Sequence, residues 1–235
     1  SIKPDILGLV EMGDETMLDD IQKRLKAAGL DLPHREWLQG ADQNRHVCLL
    51  SRFPIVDRKS RGDIPFDLDG KVQRFNRGIL DVTVEINPNY KLRLVGVHLK
   101  SRRDVEEYDE AWMRAKEAWF LRDHVNTILD ADPQANLLLY GDFNDTKNNY
   151  PIKEVIGKKG TPNYMMDLWL KDSRDERWTH FWKTADEYSR IDYIMVSPAL
   201  VKEVLFNKSG INESPFWNDA SDHRAIYTTI SAENK

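Results

Sequence analysis

The chain alternates short apolar runs with longer polar segments, and the apolar runs have the length expected of buried strands. Residues 6–10 and 47–50 are two such runs, each followed by turn-forming residues. Residues 78–86 alternate apolar and polar side chains, which predicts a strand with one buried face. An Asn-Pro-Asn turn then leads into residues 92–99, so these last two segments are expected to form a hairpin.

Two segments have the periodicity of helices. Residues 15–28 are predicted to form a helix directly after the first strand. Residues 104–129 place apolar side chains at spacings of three and four, which predicts a long amphipathic helix. This stripe includes Trp112 and Trp119, and both indole rings are expected to pack in the core.

Three further apolar runs, at residues 136–140, 191–196 and 225–230, predict strands in the second half of the chain. A single aspartate after a strand usually forms a turn or caps a helix. Several acidic, amide and imidazole side chains at separate strand ends instead indicate a functional site. The residues at these positions are Glu11, His98, Asp142, Asn144, Asp192, Asp222 and His223.

Composition limits the class of protein. The chain has 235 residues, of which 40% are hydrophobic and 31% are charged, as in globular proteins. The absence of a linker or a repeat predicts one domain over residues 1–235, and no run approaches the length of a membrane span. The net charge of −5 argues against coating of nucleic acid through bulk positive charge. Cys48 is the only cysteine, which excludes an intramolecular disulfide and a thiolate zinc cluster.

The acidic residues imply a cation if they converge. Two carboxylates about 4 Å apart repel by roughly 4 kcal/mol at an effective dielectric constant of 20, so a group of them needs a compensating charge. The candidates are Glu11, Asp142, Asp192 and Asp222. Carboxylate and amide oxygens favour a hard divalent cation, with Mg²⁺ expected first and Mn²⁺ or Ca²⁺ as alternatives.

Five motifs occur in the order found in the endonuclease/exonuclease/phosphatase superfamily. They are EMGD after DILGLV, GVHLKSRR, LLLYGDFND, RIDYIMVSP and SDHRAIY, and they extend over residues 4–230. The chain therefore resembles the pancreatic-deoxyribonuclease-like fold, in particular its bacterial nuclease-type branch. This resemblance implies an α/β (α+β) fold: a four-layer αββα sandwich of two mixed β-sheets with outer helices, which cleaves phosphoesters with a metal ion.

The resemblance also implies roles for the acidic and amide residues. Glu11 is similar to the principal metal ligand of the family, and Asp222 to a further carboxylate near the metal. Asp142 would orient or deprotonate the attacking water. Asn144 would hold that water or the phosphate through its amide.

Two histidines and a basic segment complete the implied site. His223 would stabilise charge on the phosphate in the transition state, with Asp192 accepting a hydrogen bond from its other ring nitrogen. His98 would protonate the leaving group. Substrate-binding cations are expected among Lys100, Arg77 and Arg102, with weaker candidates at Arg103 and Arg45. In the RWTHFW motif, Trp178 and Trp182 are expected to pack in the core rather than stack on bases.

Members of the family usually begin with a strand and a helix before the strand that carries the metal glutamate. The sequence starts after both, so either further residues precede those given or the fold lacks this strand and its site asparagine. We favour the first alternative, in which the given sequence omits the first strand and helix of the domain. The resemblance slightly favours a secreted or periplasmic protein.

The leading hypothesis for function is a metal-dependent phosphodiesterase that acts on nucleic acid, DNA rather than RNA, as a monomer without a membrane partner. The alternative is hydrolysis of a phospholipid head group or a small phosphate ester. A non-catalytic binding domain is a remote third hypothesis, because every expected acidic position within the sequence is filled.

Overall fold

The computed structural model describes residues 2–234, and its smaller sheet has three antiparallel strands. Strands β1 (Ile6–Met12) and β2 (His34–Leu38) both pair with β3 (His46–Ser51), which lies between them. Helix α1 (Glu15–Ala27) follows β1, and its first turn is capped by Asp14, whose carboxylate accepts a hydrogen bond from the Met17 amide at 3.1 Å.

The larger sheet is mixed and contains six strands in the order β10-β13-β9-β8-β7-β4. Strands β8 and β9 are parallel, and the other neighbours are antiparallel. Its strands are β4 (Ile55–Arg58), β7 (Leu80–Asn87), β8 (Tyr90–His98), β9 (Leu137–Asp142), β10 (Met166–Asp167) and β13 (Asp192–Val196).

The remaining elements are short, apart from one long helix. Helix α2 (Glu110–Ala131) connects the parallel strands β8 and β9. The other elements are the hairpin of β5 (Pro65–Leu68) and β6 (Lys71–Arg74), the hairpin of β11 (His180–Trp182) and β12 (Glu187–Ser189), the pair β14 (Gly210–Ile211) and β15 (Ile226–Tyr227), helices α3 (Tyr150–Ile156) and α4 (Trp217–Ala220), and 3₁₀ turns at Leu200–Glu203 and Phe206–Lys208.

Three apolar clusters separate four layers. One joins α1 to the smaller sheet, a second lies between the two sheets, and a third joins the larger sheet to α2. Alternation along the strands explains the arrangement: in β3, Leu49 faces the larger sheet while Leu50 faces α1. The predicted αββα sandwich is therefore confirmed, with the larger sheet mixed and the smaller one antiparallel.

The long helix differs from its prediction in two respects. It begins at Glu110 rather than at residue 104, because Asp109 caps it by accepting a hydrogen bond from the Trp112 amide at 2.8 Å. The expectation that both indole rings pack in the core was wrong, since Trp112 is 46% exposed and Trp119 is 48% exposed. The inward face instead combines apolar residues with buried charged ones, among them Glu117.

The last predicted strand, at residues 225–230, is also shorter than expected, because only β15 has strand geometry there. No helix within residues 2–234 is long and apolar enough to cross a membrane.

Candidate active site

Three adjacent strands of the larger sheet bring His98, Asp142 and Asp192 into one row. His98 lies opposite Asp142 in the parallel pair β8/β9, and Asp192 lies opposite Asp142 in the antiparallel pair β9/β13. Directly opposite residues point to the same face of a sheet, with Cβ atoms about 5 Å apart. The row therefore forms at the end of the sheet where β8 and β9 finish and β13 begins.

His223 joins this row from the loop before β15. Its Nδ1 lies 2.8 Å from Oδ2 of Asp192, and the Ser221 hydroxyl accepts a hydrogen bond from its backbone amide at 3.0 Å. Burial lowers the pKa of His223, but the hydrogen bond and charge of Asp192, with the nearby Asp142 and Asp222, outweigh it and raise the pKa to about 9. The imidazole is thus positively charged at neutral pH, and its Nε2 is the nitrogen that can face a substrate.

Asp142 lies at the centre of the row and is buried. Burial and the neighbouring charge of Asp192 raise its pKa to about 8. Its carboxylate accepts hydrogen bonds from the backbone amide of Asn144 at 2.7 Å and from the Asn144 side chain at 3.1 Å. Asn144 has φ 50° and also donates to the carbonyl of Leu99 at 2.9 Å, so the turn after β9 is tied to the end of β8.

His98 is buried, and its Nε2 faces two carboxylates. It lies 3.6 Å from Oδ2 of Asp142 and 3.8 Å from Oε1 of Glu11. Burial and the positive charges of Arg77 and His223 lower its pKa well below the usual value, so the ring is neutral at pH 7. Its expected role as the acid for the leaving group stays a prediction, which requires the substrate's phosphate to raise that pKa.

The two acids expected to bind metal lie beside different histidines. Glu11 has φ 58° where the pairing of β1 with β3 shifts register, and this irregularity places its carboxylate beside His98 and 3.5 Å from Nε of Arg45. Asp222 lies 3.8 Å from Nε2 of His180. Both carboxylates are exposed, which leaves their oxygens open to a ligand.

The donor set fits a hard divalent cation. Carboxylate and imidazole atoms of Asp142, Asp192 and His223 lie within 4.8 Å of one another, and so do those of His180, Asp222 and His223. Because His223 is charged and bonded to Asp192, the available donors are the carboxylates and, in the second group, the imidazole of His180. The raised pKa of Asp142 also indicates a cation site, since two adjacent carboxylates in this largely buried row cannot both ionise without a compensating charge.

The three expected substrate-binding cations have different environments. Arg77 is buried, with Nε and Nη2 at 3.1 and 3.0 Å from Oδ2 of Asp42, while its Nη1 has no hydrogen-bond partner within residues 2–234. Lys100 is also buried, and its ammonium donates to the carbonyls of Ser101 and Arg103.

Arg102 is the most accessible of the three cations. Its side chain is 46% exposed and pairs with Asp145 at 2.7 Å. Arg103 is exposed as well, and Arg45 is half-exposed. A direct contact of Arg102 with substrate therefore needs little rearrangement, whereas Arg77 and Lys100 are held in internal contacts.

Sequence reasoning missed two buried carboxylates that support the site. Glu117 of α2 accepts hydrogen bonds from the backbone amides of Asn76 at 2.9 Å and Lys100 at 2.6 Å. Asp145 pairs with Arg102 and, at 3.1 Å, with Arg114 of α2. For Glu117 the available signal was charge at an inward position of a helix, which the apolar pattern alone does not interpret; Asp145 lies in the loop after β9, within the LLLYGDFND motif.

His180 is a further neighbour that was not expected to contribute to the site. Its ring centroid lies 4.7 Å from that of His223, and the two residues form an isolated β-bridge. The aromatic residues around it have different environments. Trp178 packs against Tyr188 with ring centroids 4.8 Å apart, whereas Trp182 is 55% exposed, contrary to the expectation of core packing.

A comparison of the sequence with models of protein families identifies a family for the chain. The model of the Endonuclease/Exonuclease/phosphatase family matches residues 1–223. The chain belongs to this family. Its members are hydrolases that act on phosphoester bonds and generally use divalent metal ions. The row of carboxylates and histidines described above lies within the matched range.

Solved structures of several family proteins share this fold. Truncated TDP2 from Caenorhabditis elegans is 22% identical, with 97% of this chain and 84% of that chain covered and a TM-score of 0.63. The human Nocturnin catalytic domain with bound sulfate is 17% identical over 97% and 81%, with a TM-score of 0.66. The 3′ phosphatase NExo from Neisseria, bound to a product DNA hairpin, is 18% identical over 97% and 89%, with a TM-score of 0.62. No curated protein matches the chain significantly.

Proposed function

We propose that the protein hydrolyses phosphodiester bonds of nucleic acid, DNA in preference to RNA, with a divalent cation. The observation that carries the proposal is the row of Asp142, Asp192 and His223, in which a charged imidazole lies beside two carboxylates. This arrangement supplies a base, a positive group for a phosphate oxygen and donors for a cation at one end of the sheet.

A bound divalent cation would polarise the phosphate and lower the pKa of water, and Glu11 and Asp222 with the central carboxylates are the residues that would hold it. In its ionised form, Asp142 accepts the proton of the attacking water as the new P–O bond forms. The bond from phosphorus to the leaving oxygen breaks on the opposite side. That oxygen then takes a proton from His98 or from solvent.

His223 acts on the phosphate rather than on the water. Its Nε2 donates to a non-bridging oxygen, where negative charge increases in the transition state. Asp192 fixes the orientation of the ring and favours its charged form through the bond to Nδ1. Asn144, anchored to the carbonyl of Leu99, positions Asp142 and the turn that follows it.

Nucleic acid is the preferred substrate class because the accessible charged groups near the site suit a polyanion. Arg102 reaches the surface beside Asp145 at the end of β9. The relatives TDP2, Nocturnin and NExo share the fold, and NExo is described as bound to a product DNA hairpin. Phospholipid head groups and small phosphate esters remain the competing substrates.

The test is a substrate panel with the purified chain, in Mg²⁺ and after exhaustive chelation. The panel contains plasmid, linear duplex, single-stranded DNA, RNA, sphingomyelin vesicles, an inositol phosphate and a chromogenic phosphodiester. We expect cation-dependent cleavage of DNA that falls by about 10² to 10³ in His223→Ala, with an exposed variant on α1, Lys23→Ala, as the control. Efficient turnover of sphingomyelin or an inositol phosphate with DNA and RNA untouched would replace this proposal with the competing one.

A further inference from the structure

Three cations surround one tryptophan at the end of the sheet that carries the candidate site. The ring centroid of Trp169 lies 3.8 Å from Nζ of Lys147, 4.6 Å from Cζ of Arg190 and 4.8 Å from Cζ of Arg177. Trp169 itself is 42% exposed and has φ 49°, a conformation that is uncommon for a bulky residue. We call this group the Trp169 cluster: Lys147, Trp169, Arg177 and Arg190.

Two of these cations are positioned without being neutralised. Arg190 pairs with both carboxylate oxygens of Asp167. Lys147 and Arg177, in contrast, have no ion pair within residues 2–234, and Arg177 is held by donating to the carbonyls of Trp169 and Leu170. An aromatic face orients a cation but carries no net charge. The positive charges of Lys147 and Arg177 are therefore available to an anion.

The nearby acids form their ion pairs with other cations, although the charge of Asp175 also acts on Arg177, so Lys147 is the less compensated of the two. Asp145 is paired with Arg102 and Arg114, and Asp175 is paired with Lys171. The cluster thus presents a local positive surface on a chain whose net charge is −5. A fixed positive surface of this kind favours phosphate oxygens.

The chain connectivity places the Trp169 cluster at the same end of the sheet as the candidate site. Lys147 belongs to the turn that follows Asp142 at the end of β9. Arg190 precedes Asp192 by two residues, so their Cα atoms are at most about 7 Å apart. Trp169 follows β10, whose antiparallel pairing with β13 brings it to the same end of the sheet. Arg190 lies 4.3 Å from the Tyr193 ring, on the face of the sheet toward α2, whereas Asp192 points to the face toward the smaller sheet. A polyanion whose scissile phosphate lies at Asp142 therefore has to pass around the end of the sheet to contact the cluster.

We propose that Lys147 and Arg177, held on Trp169, bind a backbone phosphate of nucleic acid that flanks the scissile bond. This inference rests on the proposed function, because it assigns a second phosphate position to the same substrate. The contact is with the backbone and carries no base specificity. Its effect is to increase affinity for chains longer than a dinucleotide.

The test measures binding separately from cleavage. The His223→Ala chain is titrated, in chelator, into a fluorescent single-stranded DNA of about 20 nucleotides, which exceeds the typical site size of a single-strand-binding module. Lys147→Ala is compared with Lys147→Arg and with Lys23→Ala on α1, across a series of salt concentrations. Lys147 is exposed and its side chain has no hydrogen bond within residues 2–234, so its removal costs only the contact with Trp169 and should lower the melting temperature only slightly.

We expect Lys147→Ala to raise Kd about three- to tenfold and to reduce the slope of log K against log salt by roughly 0.7, the value for one phosphate contact on a single strand. Lys147→Arg should keep the slope, since the charge is retained. In the active chain, Lys147→Ala should raise KM for the long substrate more than for a dinucleotide. Equal slopes for Lys147→Ala and Lys23→Ala would overturn the subsite while leaving DNA cleavage intact. Failure of the wild-type chain to bind or cleave DNA would instead overturn the proposed function.

Discussion

The Nδ1 atom of His223 lies 2.8 Å from Oδ2 of Asp192, although thirty-one positions separate the two residues in the sequence. The contact joins the loop before β15 to the first residue of β13. It fixes which ring nitrogen faces the cleft, and together with Asp142 and Asp222 it raises the pKa of His223 to about 9 despite burial, which lowers it. This one hydrogen bond therefore helps to set both the orientation of the His223 ring and its positive charge.

Asp192→Asn should move the basic limb of the activity profile to lower pH. In the wild type, His223 has a pKa of about 9 and keeps its proton below that pH, so activity should fall as the pH rises through this value. Asparagine keeps the shape and an acceptor but removes the charge, so the limb should fall by about 1 to 3 pH units. A kcat/KM profile from pH 6 to pH 10 measures the shift, and an unmoved limb would separate Asp192 from the protonation of His223.

His223→Ala should reduce kcat by about 10² to 10³, as expected for loss of a group that stabilises charge in the transition state. Because Asp192 acts on the phosphate through His223, the double variant should be little worse than the worse single one. The four kcat values of the double-mutant cycle provide the measurement. Additive losses would show that the two residues act independently.

Binding of Mg²⁺ or Mn²⁺ should release a proton near pH 7. Without a cation, burial and the charge of Asp192 hold the pKa of Asp142 near 8, so its carboxyl is mostly protonated at pH 7. A cation bound by Asp142 favours the ionised carboxylate over the protonated carboxyl, so the proton is released on binding. Calorimetric titration in two buffers of different ionisation enthalpy counts the protons, with Asp142→Asn as the variant that should release none. Identical heats in both buffers for the wild type would contradict this assignment.

The position of the site could be predicted from the sequence because strand ends that share one edge of a sheet bring their side chains together. Asp142, Asp192 and His98 each lie at a strand end, and the register places them opposite one another. The order of the strands, however, depends on long-range pairing that a period-two pattern does not encode. For this reason, no sequence pattern places His180 beside His223.

Helix α2 shows where periodicity fails. The pattern ranks apolar residues as inward, yet Trp119 is 48% exposed and Glu117 is fully buried. Glu117 is buried because its two oxygens accept hydrogen bonds from backbone amides 41 and 17 residues away in the sequence. A carboxylate with such partners can occupy an inward position. The partners are set by tertiary structure, so no local pattern contains them.

Asp81→Asn should reduce the free energy of unfolding at pH 7 by about 3 to 5 kcal/mol, the usual cost of breaking a buried ion pair. Asp81 is buried between Arg93, which donates from Nε at 2.8 Å, and His124, whose Nε2 lies 2.8 Å away. Burial raises the pKa of Asp81, but these partners outweigh it, so the folded pKa lies below 3.8.

The stabilisation by Asp81 is therefore present above pH 3.8 and is lost as the pH falls through the lower folded value. Urea titrations from pH 7 down to pH 4 should show the variant less stable than the wild type throughout this range. Asp57→Asn, which removes an exposed pair with Lys59, is the control and should cost less than about 1 kcal/mol. A loss for Asp81→Asn no larger than that of the control would show that the buried pair is not a source of stability.

Glu117→Gln should impair catalysis as well as stability, although within residues 2–234 Glu117 forms no hydrogen bond or ion pair with the carboxylates or histidines of the row. Its two oxygens accept hydrogen bonds from the backbone amides of Asn76 and Lys100. Asn76 directly precedes Arg77, and Lys100 lies two residues after His98. Glutamine can accept only one of these bonds, and its amide then faces the other N–H group as a second donor. The loss of one buried bond should cost about 1 to 3 kcal/mol in the free energy of unfolding.

Displacement of His98 by a fraction of an ångström should lower kcat by about ten- to a hundredfold with KM changing less. Asp123→Asn, at an exposed position of the same helix, should change neither quantity. A variant with lower stability but unchanged kcat would assign Glu117 to the fold alone.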